Sequence, residues 1–139
     1  MAVTETTPSA EDRTWAAAAH STILLDLVST STPLLGLVGS LIIYILSRSR
    51  GAFARDQATE ALNFQLTLLL VVIALLVSAY LIVRGDPLWR FITPPALIVV
   101  LLAAVAAVLG SIVAGTVAAL RAQRGILFRY RVAIPFVRH

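Results

Sequence analysis

The chain has 139 residues, of which 59% are hydrophobic and 13% charged, and its formal net charge is +4. Soluble domains contain about 45–50% apolar and about 25% charged residues, so this composition, with a mean hydropathy of +0.92, excludes a water-soluble globular domain. The sequence has no cysteine, which excludes a disulfide framework, a thiolate metal site and a cysteine nucleophile.

Residues 1–12, "MAVTETTPSAED", are polar and slightly acidic. A secretory signal would place a basic region before an apolar core, and this segment has no basic residue. We therefore predict a short disordered tail over residues 1–12 and expect the first apolar segment to remain in the mature protein.

Two short apolar segments follow and predict helices at about 13–30 and 34–47, separated by "STSTP". Each is shorter than the roughly 20 residues that cross about 30 Å of hydrocarbon. Fused, they would form one long kinked crossing; separate, they would form a tight hairpin. Asp26 near the middle of the first segment costs about 2.5–3.5 kcal/mol on insertion. We favour the hairpin, because the first helix would then have neighbours to support it.

Two long apolar segments complete the core of the sequence, with helices predicted at about 55–84 and 95–122. The intervening "RGDPLWRFITPP" is rich in Gly and Pro and predicts a connection. The sequence thus predicts an all-α fold: a polytopic membrane bundle of four helices, the first two short, over residues 13–124.

The C-terminal segment, residues 125–139, alternates Arg129 and Arg131 with aliphatic and aromatic residues and contains Pro135. We expect this tail to lie in the membrane interface, with its guanidinium groups at lipid phosphates and its apolar side chains at the acyl boundary.

One face of the third predicted helix carries a polar stripe. At 100° per residue, its members fall within about one 100° sector: Asp56, Glu60, Asn63 and Thr67. Such a stripe faces protein or water, because polar groups facing lipid are costly. It is either an aqueous, substrate-contacting groove or a packing surface whose hydrogen bonds contribute about 0.6 kcal/mol each. Gln57 and Gln65 lie off this face.

The last predicted helix carries small residues at i, i+4 spacing: Ala103, Ala107, Gly110, Ala114 and Ala118. Small side chains let helix backbones approach closely in membranes. This pattern predicts close packing within the bundle or, alternatively, a homodimer interface.

His20 and Asp26 are the candidate intramembrane titratable residues. His20 is either a packed, hydrogen-bonded side chain or a proton-relay group, and Asp26 is either a coupling carboxylate or a residue at the membrane boundary. The sequence contains no recognisable catalytic constellation, metal-ligand spacing or phosphate-binding loop. We therefore expect no enzymatic activity, no cofactor and no bound metal.

Two motifs resemble those of a known family. "RDQATEALNFQLT" (55–67) and "FRYRVAIPFVR" (128–138) are similar to signatures of a bacterial family of small membrane proteins of unknown function, related to the twenty-kilodalton Tic subunit of the chloroplast inner-envelope import translocon. That family usually has a His where Gln57 stands. The resemblance implies a four-helix membrane bundle and, from the plant relative, a role in a protein-import channel.

The functional expectation is a non-enzymatic subunit, scaffold or conduit component of a membrane complex in the bacterial plasma membrane. The alternative is a small solute or proton transporter that uses the polar stripe and Asp26. Nine of the eleven arginines are Arg13, just after the N-terminal tail, those of residues 48–55 and those after residue 120, so the positive-inside rule predicts a cytoplasmic C-terminus. Expected partners are the lipid bilayer, anionic headgroups at the Arg-rich loops, and a second copy or larger complex; nucleic acid is not expected.

Overall fold

The computed structural model describes residues 7–28, 34–84 and 93–137, and every regular element in these ranges is helical. The remaining parts of the predicted tails and connections lie outside the described residues. Helix α1 continues through a 3-10 turn into the short α2, and together they form one arm. The all-α, four-helix prediction is therefore confirmed, with these bounds: α1 Ala10–Ser21, the turn Thr22–Leu24, α2 Leu25–Val28, α3 Leu34–Ser47, α4 Ala52–Arg84 and α5 Thr93–Gln123.

Helix α1 begins three residues earlier than the sequence predicted. The side chain of Ser9 accepts a hydrogen bond from the backbone N–H of Asp12 at 3.0 Å, which caps the helix. Glu11 and Asp12 place negative charge in the first turn, where it interacts favourably with the helix dipole. Residues 10–12 are therefore helical and do not belong to a disordered tail.

The first arm and α3 form an antiparallel hairpin. At its open end the N–H of Gly51 donates to Asp12 Oδ1 at 3.1 Å, beside an Arg50–Glu11 ion pair. At its closed end the N–H of Gly36 donates to Asp26 Oδ1 at 2.7 Å. The predicted hairpin is thus confirmed, and a single fused crossing is not, since fusion would place residues 12 and 51 at opposite ends.

The hairpin packs against only one end of the α4–α5 pair. Ala19 of α1 packs with Ala58 and Ala61 of α4, and Ala16 packs with Ala122 of α5, all nearly or fully buried. These alanines allow close helix approach. We call this end, formed by α1–α3 and residues 52–65 and 114–123, the four-helix half.

At the other end, residues 66–84 and 94–113, the only described helices are α4 and α5, and we call it the two-helix half. Both helices are long and apolar enough to cross a membrane, and the most apolar 18-residue window of each is only 6% buried. At about 1.5 Å per residue, the 33 residues of α4 span about 50 Å. The chain leaves this apolar surface uncovered, as expected where lipid surrounds it.

The small-residue face of α5 is used differently from the prediction. A Cβ added at Gly110 would meet nothing within 4 Å, and Ala103 is exposed. Close approach occurs instead at Gly115, where an added Cβ would collide with the side chain of Ile23 and lie 3.3 Å from the carbonyl oxygen of His20. Of the predicted set, only Ala118 is fully buried. The predicted close packing at Gly110 is therefore wrong within the chain, because the hairpin does not extend that far along α5.

Helix α5 ends in a glycine cap that turns the chain back. Gly125 has φ 76°, a left-handed conformation in which a Cβ is strained. Its N–H donates to Ala122 O at 2.9 Å, while the N–H of Ile126 donates to Arg121 O at 3.0 Å. These two bonds form a Schellman motif, and they direct the tail, residues 126–137, back along α4.

Candidate functional site

The most developed polar site is a buried cluster where the tail meets α1 and α4. Gln57, 1% exposed, holds both backbone groups of Phe128: its Nε2 donates to the carbonyl at 3.2 Å, and its Oε1 accepts from the N–H at 3.2 Å. A backbone N–H only donates and a carbonyl only accepts, so Phe128 fixes the orientation of the Gln57 amide.

That orientation in turn fixes the tautomer of His20. His20 Nε2 lies 3.0 Å from the same Gln57 Oε1, which can only accept, so Nε2 carries the proton. Nδ1 then accepts from the hydroxyl of Tyr130 at 3.0 Å. His20 is 1% exposed, and burial lowers its pKa to about 4 although the bond to Gln57 opposes the shift. The imidazole is therefore neutral near pH 7, with both nitrogens paired.

Tyr130 anchors the tail through its ring. It stacks on Phe64 of α4 with ring centroids 3.9 Å apart and 8° between the planes, and Phe128 meets it edge-on at 5.0 Å. Burial raises the pKa of Tyr130, and the negative charge of Glu60 adds to that shift. The phenol therefore stays protonated and serves as the hydrogen-bond donor to His20.

The predicted polar stripe contributes to the same attachment. The Asn63 amide donates to Val137 O at 3.0 Å and accepts from the N–H of Val137 at 2.8 Å. Thr67 Oγ1 accepts from the N–H of Ile134 at 2.9 Å. Asn63 and Thr67 thus bind the backbone of the tail, while Asp56 and Glu60 are partly buried nearer the start of α4.

A second polar site lies at the closed end of the hairpin. The backbone of Gly36 approaches so closely that an added Cβ would collide with the side chains of Asp26 and Gln65. Gln65 is 2% exposed, and neither its oxygen nor its nitrogen has a hydrogen-bond partner among the described residues; the same is true of Oδ2 of Asp26. Burial raises the pKa of Asp26, and the hydrogen bond from Gly36 and the neighbouring side chain of Gln65 oppose this shift. This Asp26–Gln65 site is polar and enclosed, and several of its oxygen and nitrogen atoms have no hydrogen-bond partner among the described residues.

Sequence reasoning identified His20, Asn63 and Thr67 but missed the residues that join them. Gln57 lies off the polar stripe, and Tyr130 lies in a segment that we assigned to the membrane interface. Most bonds to the tail go to its backbone, which leaves no side-chain pattern in the sequence. The one available signal was the pair of motifs at 55–67 and 128–138, which contact each other in the fold.

Within residues 7–28, 34–84 and 93–137, no three His, Cys, Asp or Glu residues are grouped so that they could hold a metal ion. The polar cluster, built from neutral and mutually paired groups, is suited to holding the tail in place. In the Asp26–Gln65 site, Oδ2 of Asp26 and Oε1 of Gln65 could accept a proton or a hydrogen bond.

Comparison with known proteins identifies the family. The model of the Magnetosome magnetite crystal formation protein family (MamF_MmsF) matches residues 11–137, which include the hairpin, both long helices and the tail. No curated protein and no solved structure matches the chain. The assignment to a Tic-related family was wrong, because the model that matches is that of a different family, and its match includes the 55–67 motif and all but the last residue of the 128–138 motif. The chain is a membrane protein with two helices suited to spanning a bilayer, and it belongs to the magnetosome magnetite crystal formation protein family.

Proposed function

We propose that this protein is a non-enzymatic component of the magnetosome membrane that supports the formation of magnetite crystals. The family match is the basis for the process, the formation of magnetite crystals. The scaffold role rests on one structural observation: the polar side chains of Gln57, Asn63 and Thr67 all bind the backbone of the chain's own tail. Side chains that bind the backbone in this way hold the tail in a fixed position against α4.

The same observation weakens the conduit interpretation of the stripe. Water or solute moving along it would have to replace both hydrogen bonds between Asn63 and Val137. Buried groups that lose such bonds cost about 1–3 kcal/mol each. The stripe therefore supports a fixed tail better than an open path.

We further propose a multi-pass topology with a cytoplasmic C-terminus. Contacts between Asp12 and Gly51, and between Gly125 and Pro8, bring the start of α1, the α3–α4 turn and the end of α5 together at one end of the molecule. In the sequence, nine of the eleven arginines are Arg13, those of residues 48–55 and those after residue 120, whereas Arg84 ends α4 and Arg90 follows it. Short segments with this bias face the cytoplasm. Accessibility of single cysteines at Ser49 and Asp86 to an impermeant thiol reagent tests the orientation.

The proposed function is tested by deleting the gene in a magnetite-forming cell and measuring crystal number and size by electron microscopy. We expect fewer or smaller crystals, restored by the wild-type chain and not by Gln57→Leu, which releases the tail. Gln123→Leu, an exposed substitution on α5, is the matched control and should restore them. Unchanged crystals in the deletion strain would refute the proposal.

A second candidate function is proton transfer through the membrane, and only the Asp26–Gln65 site favours it. A carboxyl group with a raised pKa, beside an amide that has no partner among the described residues, can accept a proton. Proteoliposomes with a pH-sensitive dye would show proton entry that Asp26→Asn abolishes. Equal dye responses for wild type and Asp26→Asn would eliminate this candidate.

A further inference from the structure

A cavity of about 730 Å³ opens between α4, α5 and the tail, at the junction of the two halves. Its volume lies within the range of about 300–1,000 Å³ that is typical of small-molecule sites. The tail forms one wall, because the cluster at Tyr130 and Phe128 holds it against α4.

The inner wall of the cavity is apolar and lies in the two-helix half. Leu68 and Val71 of α4 face Ala106, Ala107 and Gly110 of α5 across it. Since a Cβ at Gly110 would meet nothing within 4 Å, the space beside this glycine is open. The small residues that the sequence assigned to helix packing therefore leave room for a flexible apolar chain.

The mouth of the cavity is positively charged. Three of its lining residues are arginines, Arg121, Arg129 and Arg131, and none is acidic. The guanidinium of Arg121 lies 5.5 Å from the ring centroid of Phe128. Arg129 and Arg131 are exposed, and neither side chain makes a hydrogen bond or ion pair within the described part of the chain. Guanidinium groups of this kind bind phosphate strongly.

We propose that this cavity binds an acidic phospholipid from the surrounding membrane. An acyl chain occupies the apolar cleft between Val71 and Ala107, and the phosphate lies against Arg129 and Arg131. The apolar wall and the arginines follow the same order as the acyl chains and headgroups of a bilayer. The apolar wall belongs to the helices exposed to hydrocarbon, and the arginines lie toward the end of the molecule where charged residues are concentrated. The site does not depend on the proposed role in magnetite formation.

The test is a lipid titration of the purified full-length protein in neutral detergent, followed by native mass spectrometry. The probes are dioleoyl phosphatidylglycerol and dioleoyl phosphatidylcholine. We expect preferential retention of phosphatidylglycerol, and a loss of affinity of about fivefold for each arginine removed, or about 25-fold for Arg129→Gln with Arg131→Gln. Gly110→Leu, which fills the cleft, should reduce retention of both lipids. All substituted positions are exposed, so the variants should keep the wild-type unfolding midpoint, which is measured alongside.

Two matched controls separate the site from general effects. Arg84→Gln removes an arginine at the far end of α4, and Ala103→Leu places a leucine on α5 outside the cavity; neither should change retention. The proposal is overturned if both lipids bind equally, or if the arginine variants retain phosphatidylglycerol like wild type. It is also overturned if Gly110→Leu changes the monomer–dimer equilibrium and leaves lipid retention unchanged, since the cleft would then seat a second copy of the chain.

Discussion

The two halves of this molecule differ in how their helices are held together. In the four-helix half, alanines and Gly115 bring helices close, and His20, Gln57 and Asn63 are buried with partners. In the two-helix half, large aliphatic side chains remain exposed, and Leu76 is 65% exposed. Lipid is as apolar as leucine, so leucine burial adds little driving force within a bilayer. Specific structure therefore depends on close contacts and hydrogen bonds, and these are concentrated in one half.

The largest effect is expected from Gln57→Leu. The substitution removes the partner of the buried His20 Nε2 and of both part-buried backbone groups of Phe128. At about 1–3 kcal/mol for each lost partner, the free energy of unfolding should fall by about 3 kcal/mol. Unfolding in mixed micelles, followed by circular dichroism, measures the change. Gln123→Leu, on an exposed position of α5, should be silent. A silent Gln57→Leu would show that the tail does not stabilise the four-helix half.

Acidification should destabilise the four-helix half through His20. Its pKa is about 4 in the folded protein and about 6.5 when unfolded. The unfolded state therefore binds more protons between these values, and stability present above pH 6.5 is lost as the pH falls toward 4, by at most about 3 kcal/mol. The raised pKa of Asp26 acts in the opposite sense, so the titration is best made in Asp26→Asn. If His20→Gln leaves the pH profile in that background unchanged, His20 is not the group responsible.

Asn63 and Gln65 provide a comparison within one turn of α4. Asn63→Leu removes both hydrogen bonds to Val137 and should cost about 2–3 kcal/mol. Gln65 has no hydrogen-bond partner in the part of the chain that the structure describes, so Gln65→Leu should cost nothing or stabilise the protein. Thermal unfolding in detergent distinguishes the two variants. Greater damage from Gln65→Leu would mean that Asp26 and Gln65 are paired in solution.

Glycine-to-alanine substitutions probe the boundary between the halves. Gly115→Ala forces Ile23 to shift and should cost about 1–2 kcal/mol, toward the lower end of overpacking effects. Gly110→Ala adds a methyl group to open space and should leave stability unchanged. Equal unfolding midpoints for these two variants would place the boundary elsewhere on α5.

The smallest effect is expected deep in the two-helix half. Leu76→Ala removes an exposed side chain and should change the free energy of unfolding by less than about 0.5 kcal/mol. Leu62→Ala, at a position only 4% exposed in the four-helix half, should cost about 2 kcal/mol or more. A large effect at Leu76 would indicate a protein partner on that surface.

The helices could be predicted from the sequence because length and apolar composition determine them. The hairpin was also predictable, since neither short segment can cross a bilayer alone and Asp26 requires a neighbour. The position of the hairpin along α4 and α5 was not predictable. Small residues recur along the whole of α5, and only the tertiary contact at Ile23 selects Gly115 over Gly110.

The polar cluster was predictable only in part. Helical phase grouped Asn63 with Thr67, but it gave no indication that both would bind the backbone of a segment about 70 residues away. Gln57 lies outside the stripe by helical phase, and its partners are His20 of α1 and Phe128 of the tail. Phase describes one helix by itself, whereas this site is defined by three separate segments.

The bond between His20 and Tyr130 joins residues 110 positions apart, which constrains the order of biosynthesis. Because a ribosome releases the N-terminal segment first, α1 must wait for both long helices to insert before its last partner emerges. A nascent chain that stops before residue 128 would contain every helix and still leave His20 and Gln57 without their tail contacts. Completion of the bundle thus reports completion of the chain, and an interrupted product would expose the same polar groups to proteolytic quality control.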